Sequence, residues 1–170
     1  TINAGVLKMG GGAGLGNGLI TVANGAVFDL NGKSVTTSGL TLSGTGIAGG
    51  GALVNSSSTA ATYGGRLTLA ADTTIAGDSG TIALSYTTAP IAGGGFALTL
   101  GGAAGGSIAG NMDTPTSSVT KLGLGSWTLS GANTYSGGTT VSTGVLKAGS
   151  ATAFGTGTVN VASGGALDLG

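Results

Sequence analysis

The acidic side chains are the first candidates for chemistry, because paired carboxylates can hydrolyse glycosides or bind calcium. The chain has five of them, all aspartates, at positions Asp29, Asp72, Asp78, Asp113 and Asp168. Asp29 and Asp168 occupy equivalent positions of an internal repeat, which favours a role at a turn or coil edge. Asp72 and Asp78 are near enough in sequence to approach across a corner. We expect solvated turn residues, and therefore predict neither a catalytic site nor a metal site.

Histidine and cysteine are absent from the 170 residues. Their absence excludes the common histidine-assisted nucleophiles and the usual zinc sites. Gly44, Gly46 and Gly49 match the spacing of a dinucleotide-binding loop, but a turn and a strand follow where that loop requires a helix. A β-helical polysaccharide lyase or hydrolase would need an acidic groove that five scattered aspartates do not provide. The sequence therefore predicts no enzyme activity and no cofactor.

Basic residues are equally sparse in this sequence. Lys8, Lys33, Arg66, Lys121 and Lys147 lie far apart, whereas nucleic-acid binding requires clustered positive charge. No run of about 20 apolar residues is present that could cross a membrane as a helix. We therefore expect no nucleic-acid partner and no membrane span in this segment.

Aromatic side chains could form a contact surface for carbohydrate or protein. The candidates are Tyr63, Tyr86, Tyr135 and Trp127. Tyr135 falls at a position that would pack a corner, and Trp127 fits an apolar core, so packing is the favoured interpretation. A surface or carbohydrate ligand stays a candidate partner. The triplet Asn55-Ser56-Ser57 also matches the N-glycosylation sequon.

Short strands are the elements that must position these residues. Glycine accounts for 39 residues, 40% of the chain is hydrophobic, and the formal net charge is zero, a composition that favours buried structure over disorder. Apolar and polar residues alternate in short runs bounded by turn signals such as Asn24-Gly25 and Asn31-Gly32. The predicted strands are 1–8, 19–23, 26–30, 34–36, 40–43, 52–55, 61–63, 67–70, 81–85, 96–100, 126–130, 140–147, 158–162 and 166–169.

An internal repeat links the two ends of the sequence. Residues 1–31 align without a gap with residues 140–170, at an offset of 139. The segment TINAGVLKMG recurs as TVSTGVLKAG, and TVANGAVFDLN recurs as NVASGGALDLG. The recurrence of one unit indicates a segment of a longer repetitive chain.

Short strands, tight corners and a long-range repeat favour a β-solenoid, in which each coil adds one strand per face. A coil of about 20–25 residues gives roughly seven coils, and a rise of about 4.8 Å per coil gives a rod about 35 Å long. Apolar side chains would stack inside the coils, and serine and threonine would face outward. The alternative is a β-sandwich, which also contains many short strands.

The segment 121–141, KLGLGSWTLSGANTYSGGTTV, resembles the passenger-associated transport repeat of bacterial autotransporters. The following Gly144-Val145-Leu146 resembles the G-x-L that closes that unit, and residues 1–10 resemble the tail of a preceding copy. Trp127 stands where leucine is usual, and we expect it to point inward. The residues that carry the motif are Lys121, Gly123, Gly125, Trp127, Leu129, Gly131, Asn133, Tyr135, Gly137, Thr139, Gly144 and Leu146.

The resemblance implies one right-handed parallel β-helix over residues 1–170, with repeat-like units at 1–31 and 121–170. It also implies a location outside a Gram-negative-type bacterium or on its outer-membrane surface. We expect a structural stalk or fibre segment, and the alternative is an adhesin that binds host or surface ligands through an exposed face. The expected partners are neighbouring coils or further copies of the chain, because exposed strand edges favour end-to-end filaments.

Overall fold

The computed structural model describes residues 1–11, 15–16, 18–36, 39–88 and 91–170. Within these residues the regular elements are fifteen strands and one 3₁₀ turn, Ile47–Gly49. The strands are β1 (Gly5–Lys8), β2 (Ile20–Val22), β3 (Ala26–Asp29), β4 (Ser34–Val35), β5 (Leu40–Gly44), β6 (Leu53–Asn55), β7 (Ala61–Tyr63), β8 (Leu67–Gly77), β9 (Ile82–Leu84), β10 (Leu98–Gly101), β11 (Gly105–Ile108), β12 (Val119–Lys121), β13 (Ser126–Leu129), β14 (Thr139–Ala148) and β15 (Val159–Asp168).

The strands stack in three parallel ladders. The first ladder contains β2, β5 and the first half of β8. The second contains β1, β3, β6, the second half of β8, β10, β12 and the first halves of β14 and β15. The third contains β4, β7, β9, β11, β13 and the second halves of β14 and β15.

The chain passes from ladder to ladder and winds as a β-solenoid of about seven turns. Every strand pairing among the described residues is parallel, which is incompatible with the hairpins of a β-sandwich. The predicted all-β solenoid is therefore confirmed.

Inward side chains stack in rows from coil to coil. In β10, Leu98 and Leu100 are buried and Thr99 between them is partly exposed, as the alternation of a strand requires. The second ladder carries one such inward row in register, made by Phe28, Leu53, Ile75, Leu100, Lys121 and Val141. All six residues are buried, so this row forms part of a continuous core.

Threonine hydroxyls form a matching outward row on the same ladder. The row consists of Thr74, Thr99, Thr120 and Thr140, which are register partners on successive coils. The expected arrangement, with aliphatic side chains inside and hydroxyl side chains outside, is present in this row. Other outward positions of the same ladder depart from it, because Val27, Val54 and Ala76 are apolar and form a separate buried cluster.

Three strand segments were not predicted: residues 73–77 of β8, β11 and β12. β11 begins with Gly105-Gly106, a pair that favours a turn, and β12 has a lysine at an inward position. Residues 73–77 lack alternation because all five are buried. In each case pairing with neighbouring coils overrides the local sequence preference. The expected strand at 1–8 is limited to β1.

The two copies of the internal repeat occupy different faces of the solenoid. Strands β1 and β3 of the first copy lie in the second ladder. The equivalent halves of β14 and β15 lie in the third ladder. The offset of 139 residues therefore does not correspond to a whole number of coils, and the repeat is displaced by one face.

Trp127 is the largest fully buried side chain, and Gly106 on the preceding coil makes room for it. A Cβ atom at Gly106 would lie 3.0 Å from two atoms of the Trp127 ring and closer still to the Ile82 carbonyl oxygen. The indole Nε1–H donates a hydrogen bond to the Gly101 carbonyl oxygen at 2.9 Å. The prediction that Trp127 points inward is confirmed.

Two neighbouring glycines give a direct test of this packing. The substitution Gly106→Ala should lower the free energy of unfolding by about 3 kcal/mol, because the added methyl group overpacks the core. The matched control Gly101→Ala should change it by less than about 1 kcal/mol, since its Cβ would meet no atom within 3.8 Å. Urea unfolding followed by circular dichroism measures both values, and equal losses for the two variants would contradict the described packing.

Candidate functional site

The glycines of the repeat motif lie where one coil crosses closely over the preceding one. A Cβ atom on any of them would lie within 2.7 Å of a backbone atom of the preceding coil. Gly123 also has a positive φ of 85°, a conformation that glycine adopts without strain. These glycines are Gly123, Gly125, Gly131, Gly137 and Gly144. Their role in this structure is to permit close contact between coils.

Lys121 is buried in the inward aliphatic row between Leu100 and Val141. Its Nζ atom reaches a corner, where it donates hydrogen bonds to the carbonyl oxygens of Leu122 (3.2 Å), Gly123 (2.6 Å) and Thr143 (3.1 Å). Burial lowers the pKa of this amine. The ammonium group thus connects two successive coils through backbone acceptors rather than through a carboxylate.

Asn133 connects three coils at another corner. Its side-chain carbonyl accepts a hydrogen bond from the Met112 backbone N–H, and its amide donates to the Ala153 carbonyl oxygen. Tyr135 is fully buried and its hydroxyl is 2.7 Å from the hydroxyl of Thr139, which donates to the Phe154 carbonyl oxygen. Burial raises the pKa of Tyr135 to about 12. The polar motif residues therefore satisfy backbone and side-chain groups at the corners.

Leu129 and Leu146 complete the motif. Leu146 is the register partner of Trp127 on the next coil, and both leucines are buried in the core. Every residue of the motif is thus engaged in contacts between coils or within the core, and the structure brings all of them into one continuous unit.

Two aspartates form ion pairs at equivalent repeat positions. Lys8 and Asp29 are register partners with Nζ and a carboxylate oxygen 3.6 Å apart, and Lys147 and Asp168 are 3.3 Å apart. The residues of each pair are one coil apart in sequence. The sequence placed Asp29 and Asp168 at coil edges but did not lead us to their lysine partners. The equal spacing of Lys8 from Asp29 and of Lys147 from Asp168 could have indicated these pairs.

Asp29 accepts more hydrogen bonds than Asp168 does. Burial opposes its ionisation, but hydrogen bonds from Ser56 and from the Asn31 backbone N–H, together with Lys8, hold its pKa below the usual value. It is buried rather than solvated, so the expectation of a solvated turn is wrong for Asp29. Its carboxylate is already engaged by these partners.

The remaining aspartates lie apart. Asp72 and Asp78 do not meet across a corner, because the extended residues 72–77 of β8 separate them by roughly 20 Å. Asp72 accepts a hydrogen bond from the Ala97 N–H, and Asp113 accepts one from the Thr134 hydroxyl. Among the described residues, no three acidic side chains cluster closely enough to hold a metal ion.

The other candidate motifs also have structural positions. A single 3₁₀ turn follows Gly44 and Gly46, in place of the helix that a dinucleotide site requires. Asn55 of the sequon is fully buried, accepting from the Gly32 N–H and donating to the Thr59 and Thr81 carbonyl oxygens. Tyr63, Tyr135 and Trp127 are buried, and Tyr86 is partly exposed. The aromatic residues therefore mainly pack the core.

One comparison with known proteins, that with protein-family models, agrees with the motif. The family model described as Passenger-associated-transport-repeat matches residues 119–148. No curated protein matches the chain, and no solved structure matches it. None of the helical structure in the described residues is long and apolar enough to span a membrane.

Lys121 gives the sharpest test of the motif. The substitution Lys121→Met should lower the free energy of unfolding by about 3 kcal/mol, because it removes the three charge-assisted hydrogen bonds that Nζ donates to backbone carbonyl oxygens. The matched control Lys147→Met removes only an exposed ion pair and should have a much smaller effect. Chemical denaturation of both variants measures the difference. A Lys121→Met chain as stable as the original would show that the three carbonyl contacts do not stabilise the fold.

Proposed function

We propose that residues 1–170 are a structural stalk or fibre segment. The proposal starts from a passenger-associated-transport-repeat on a parallel β-solenoid, a combination that fits an autotransporter passenger β-helix. Such repeats are associated with autotransporter passengers, which implies a surface or extracellular location in Gram-negative bacteria. The stalk would hold a more distal element away from the cell.

The supporting observation is the unbroken second ladder. Its parallel pairing continues from β1 to β15 without an interruption among the described residues. Each coil is hydrogen-bonded to its neighbours, so bending or local opening would disrupt several backbone hydrogen bonds at once. A stiff, protease-resistant rod is the mechanical consequence.

We also propose that this segment is not an enzyme. Asp29 is engaged by Ser56, Asn31 and Lys8, and Asp72 and Asp113 accept hydrogen bonds from neighbouring coils. These three carboxylates have structural partners. Asp78 lacks one among the described residues, but the carboxylate near it, Asp29, is already engaged, so the two are not arranged as the acid–base pair that glycoside cleavage requires.

An adhesin is the second candidate function. A specific observation favours it: large apolar side chains are exposed on the described surface, where Ile47, Leu122 and Leu124 are 48%, 49% and 80% exposed. Exposed apolar surface of this type can contact a partner. In this interpretation the solenoid both spans distance and presents a binding face.

The outer edges of β1 and β15 could pair with a neighbouring coil or with another copy of the chain. β1 and β15 each pair with a strand on one side only, and Val6, Val159 and Val161 are exposed there. Unpaired edges of this kind accept further strands. End-to-end stacking of copies stays a prediction, and a concentration-independent mass in light scattering would contradict it.

Coil insertion tests the stalk in the intact surface-displayed protein. Residues 105–144 span two coils in register, because Gly105 pairs with Ser126 and Ser126 with Val145. Two extra copies of this segment should move the distal end outward by about 19 Å, which electron cryotomography with a distal label can measure. Surface display should persist.

The control is an insertion of residues 105–114 alone, which breaks the coil register and should abolish display. A distal end that does not move when four coils are added, in a displayed and folded chain, would contradict the stalk function.

A further inference from the structure

A groove of about 200 Å³ crosses the outside of the second ladder. Its floor consists of outward residues of β8 and β10, including Thr74, Ala76 and Thr99. Gly49, the last residue of the 3₁₀ turn, and Gly50, which follows it, also line the groove, as does the corner after β12. The groove is therefore local to a few coils and is not a property of the whole rod.

Two hydroxyl groups without partners face this groove. Thr74 lines it and is only 7% exposed, yet its side chain forms no hydrogen bond with any described residue. The Thr99 hydroxyl also lacks a hydrogen-bond partner in the described residues. Thr74 and Thr99 are register partners, so their side chains are about 4.8 Å apart along the rod axis. A hydroxyl that has no protein partner and lines a groove is available to donate a hydrogen bond to a ligand or to accept one from it.

A carboxylate completes the polar side of the groove. Asp78 lines it, and its side chain forms no hydrogen bond or ion pair with described residues. Burial and the nearby Asp29 raise the pKa of Asp78. An ionised carboxylate accepts hydrogen bonds at both of its oxygens, whereas the threonine hydroxyls can both donate and accept.

The rest of the lining is small or apolar. Gly101, Gly102 and Gly123 present backbone without side chains, and the half-exposed Leu122 provides an apolar edge. The lining contains no lysine or arginine, which disfavours an anionic ligand. The complementary ligand is compact and uncharged, with several hydroxyl groups and apolar C–H surfaces.

We propose that this groove binds one neutral pyranose unit of a carbohydrate. Asp78 accepts hydrogen bonds from adjacent ring hydroxyls, and Thr74 and Thr99 bind alternate hydroxyls, whose separation on the ring is similar to the rung spacing. Leu122 and Ala76 contact the C–H surface. This binding site is independent of the stalk role, since either could fail without the other.

The test is a titration of the ¹⁵N-labelled chain, followed by NMR, with the methyl pyranosides of glucose, galactose and mannose. At least one should produce saturable shifts at the Gly101, Gly102 and Gly123 amides, with a Kd on the order of 1 mM for so small a ligand. The absence of saturable shifts with all three sugars would overturn the proposal, and so would saturable shifts confined to another face.

Substitutions sharpen the assignment. Thr99→Val and Asp78→Asn should each weaken binding about tenfold, because the first removes a hydroxyl and the second replaces a charged acceptor oxygen with an N–H donor. The matched control Thr120→Val alters the next hydroxyl of the same outward row, which lies outside the groove lining, and should leave Kd unchanged. Equal effects of Thr99→Val and Thr120→Val would overturn the proposal.

A blocking variant provides an independent readout. The Cβ position at Gly101 is free of close contacts, so Gly101→Val should fill the groove without unfolding the chain, and binding should be lost at an unchanged melting temperature. If the valine unfolds the chain, Gly101→Ala provides the same readout with a smaller group. Retained sugar affinity in a folded blocked variant would overturn the proposal. Saturation of the groove by n-butylammonium but by none of the sugars would do so too, since it would indicate a cation site.

Discussion

Parallel hydrogen bonding between successive coils is the constraint on which the structure depends. Each coil must present its strands in register to the coils on both sides, at a spacing of about 4.8 Å. This spacing places like positions directly above one another, so inward residues form continuous rows and outward residues do the same. The core of the protein is consequently a set of columns rather than a single compact cluster.

The corners of the coils are where this arrangement is hardest to satisfy. Where the chain turns, adjacent backbones approach so closely that the motif glycines leave no space for a Cβ atom. Backbone groups there also lose their strand partners, and buried polar groups need hydrogen bonds. Lys121, Asn133 and Asn55 supply these from side chains. A chain with very few charged residues therefore uses one of its lysines as a structural donor inside the core.

Alternation made part of this fold predictable from the sequence. β5, β7 and β13 alternate clearly, and the inward position of Trp127 followed from its place in the motif. β11 and β12 could not be predicted locally, because glycine and lysine disfavour those positions until the neighbouring coils are present. The contact between Trp127 and Gly106 could not be predicted locally either, since it joins residues of different coils.

The site was predictable to a similar extent. The residues of the repeat motif could be identified from their spacing, but the contacts that each of them makes in the structure could not. The three carbonyl oxygens around Lys121 come from two corners, and only the coil register brings them together. The outward groove could not be predicted from the sequence, because Thr74, Thr99 and Leu122 belong to separate coils and share no motif. The one-face displacement between the two repeat copies has a geometric consequence. A surface marker carried once per unit, such as the Lys–Asp pair, would not line up along one side of a longer rod but would follow a spiral, returning to the same side only after three units.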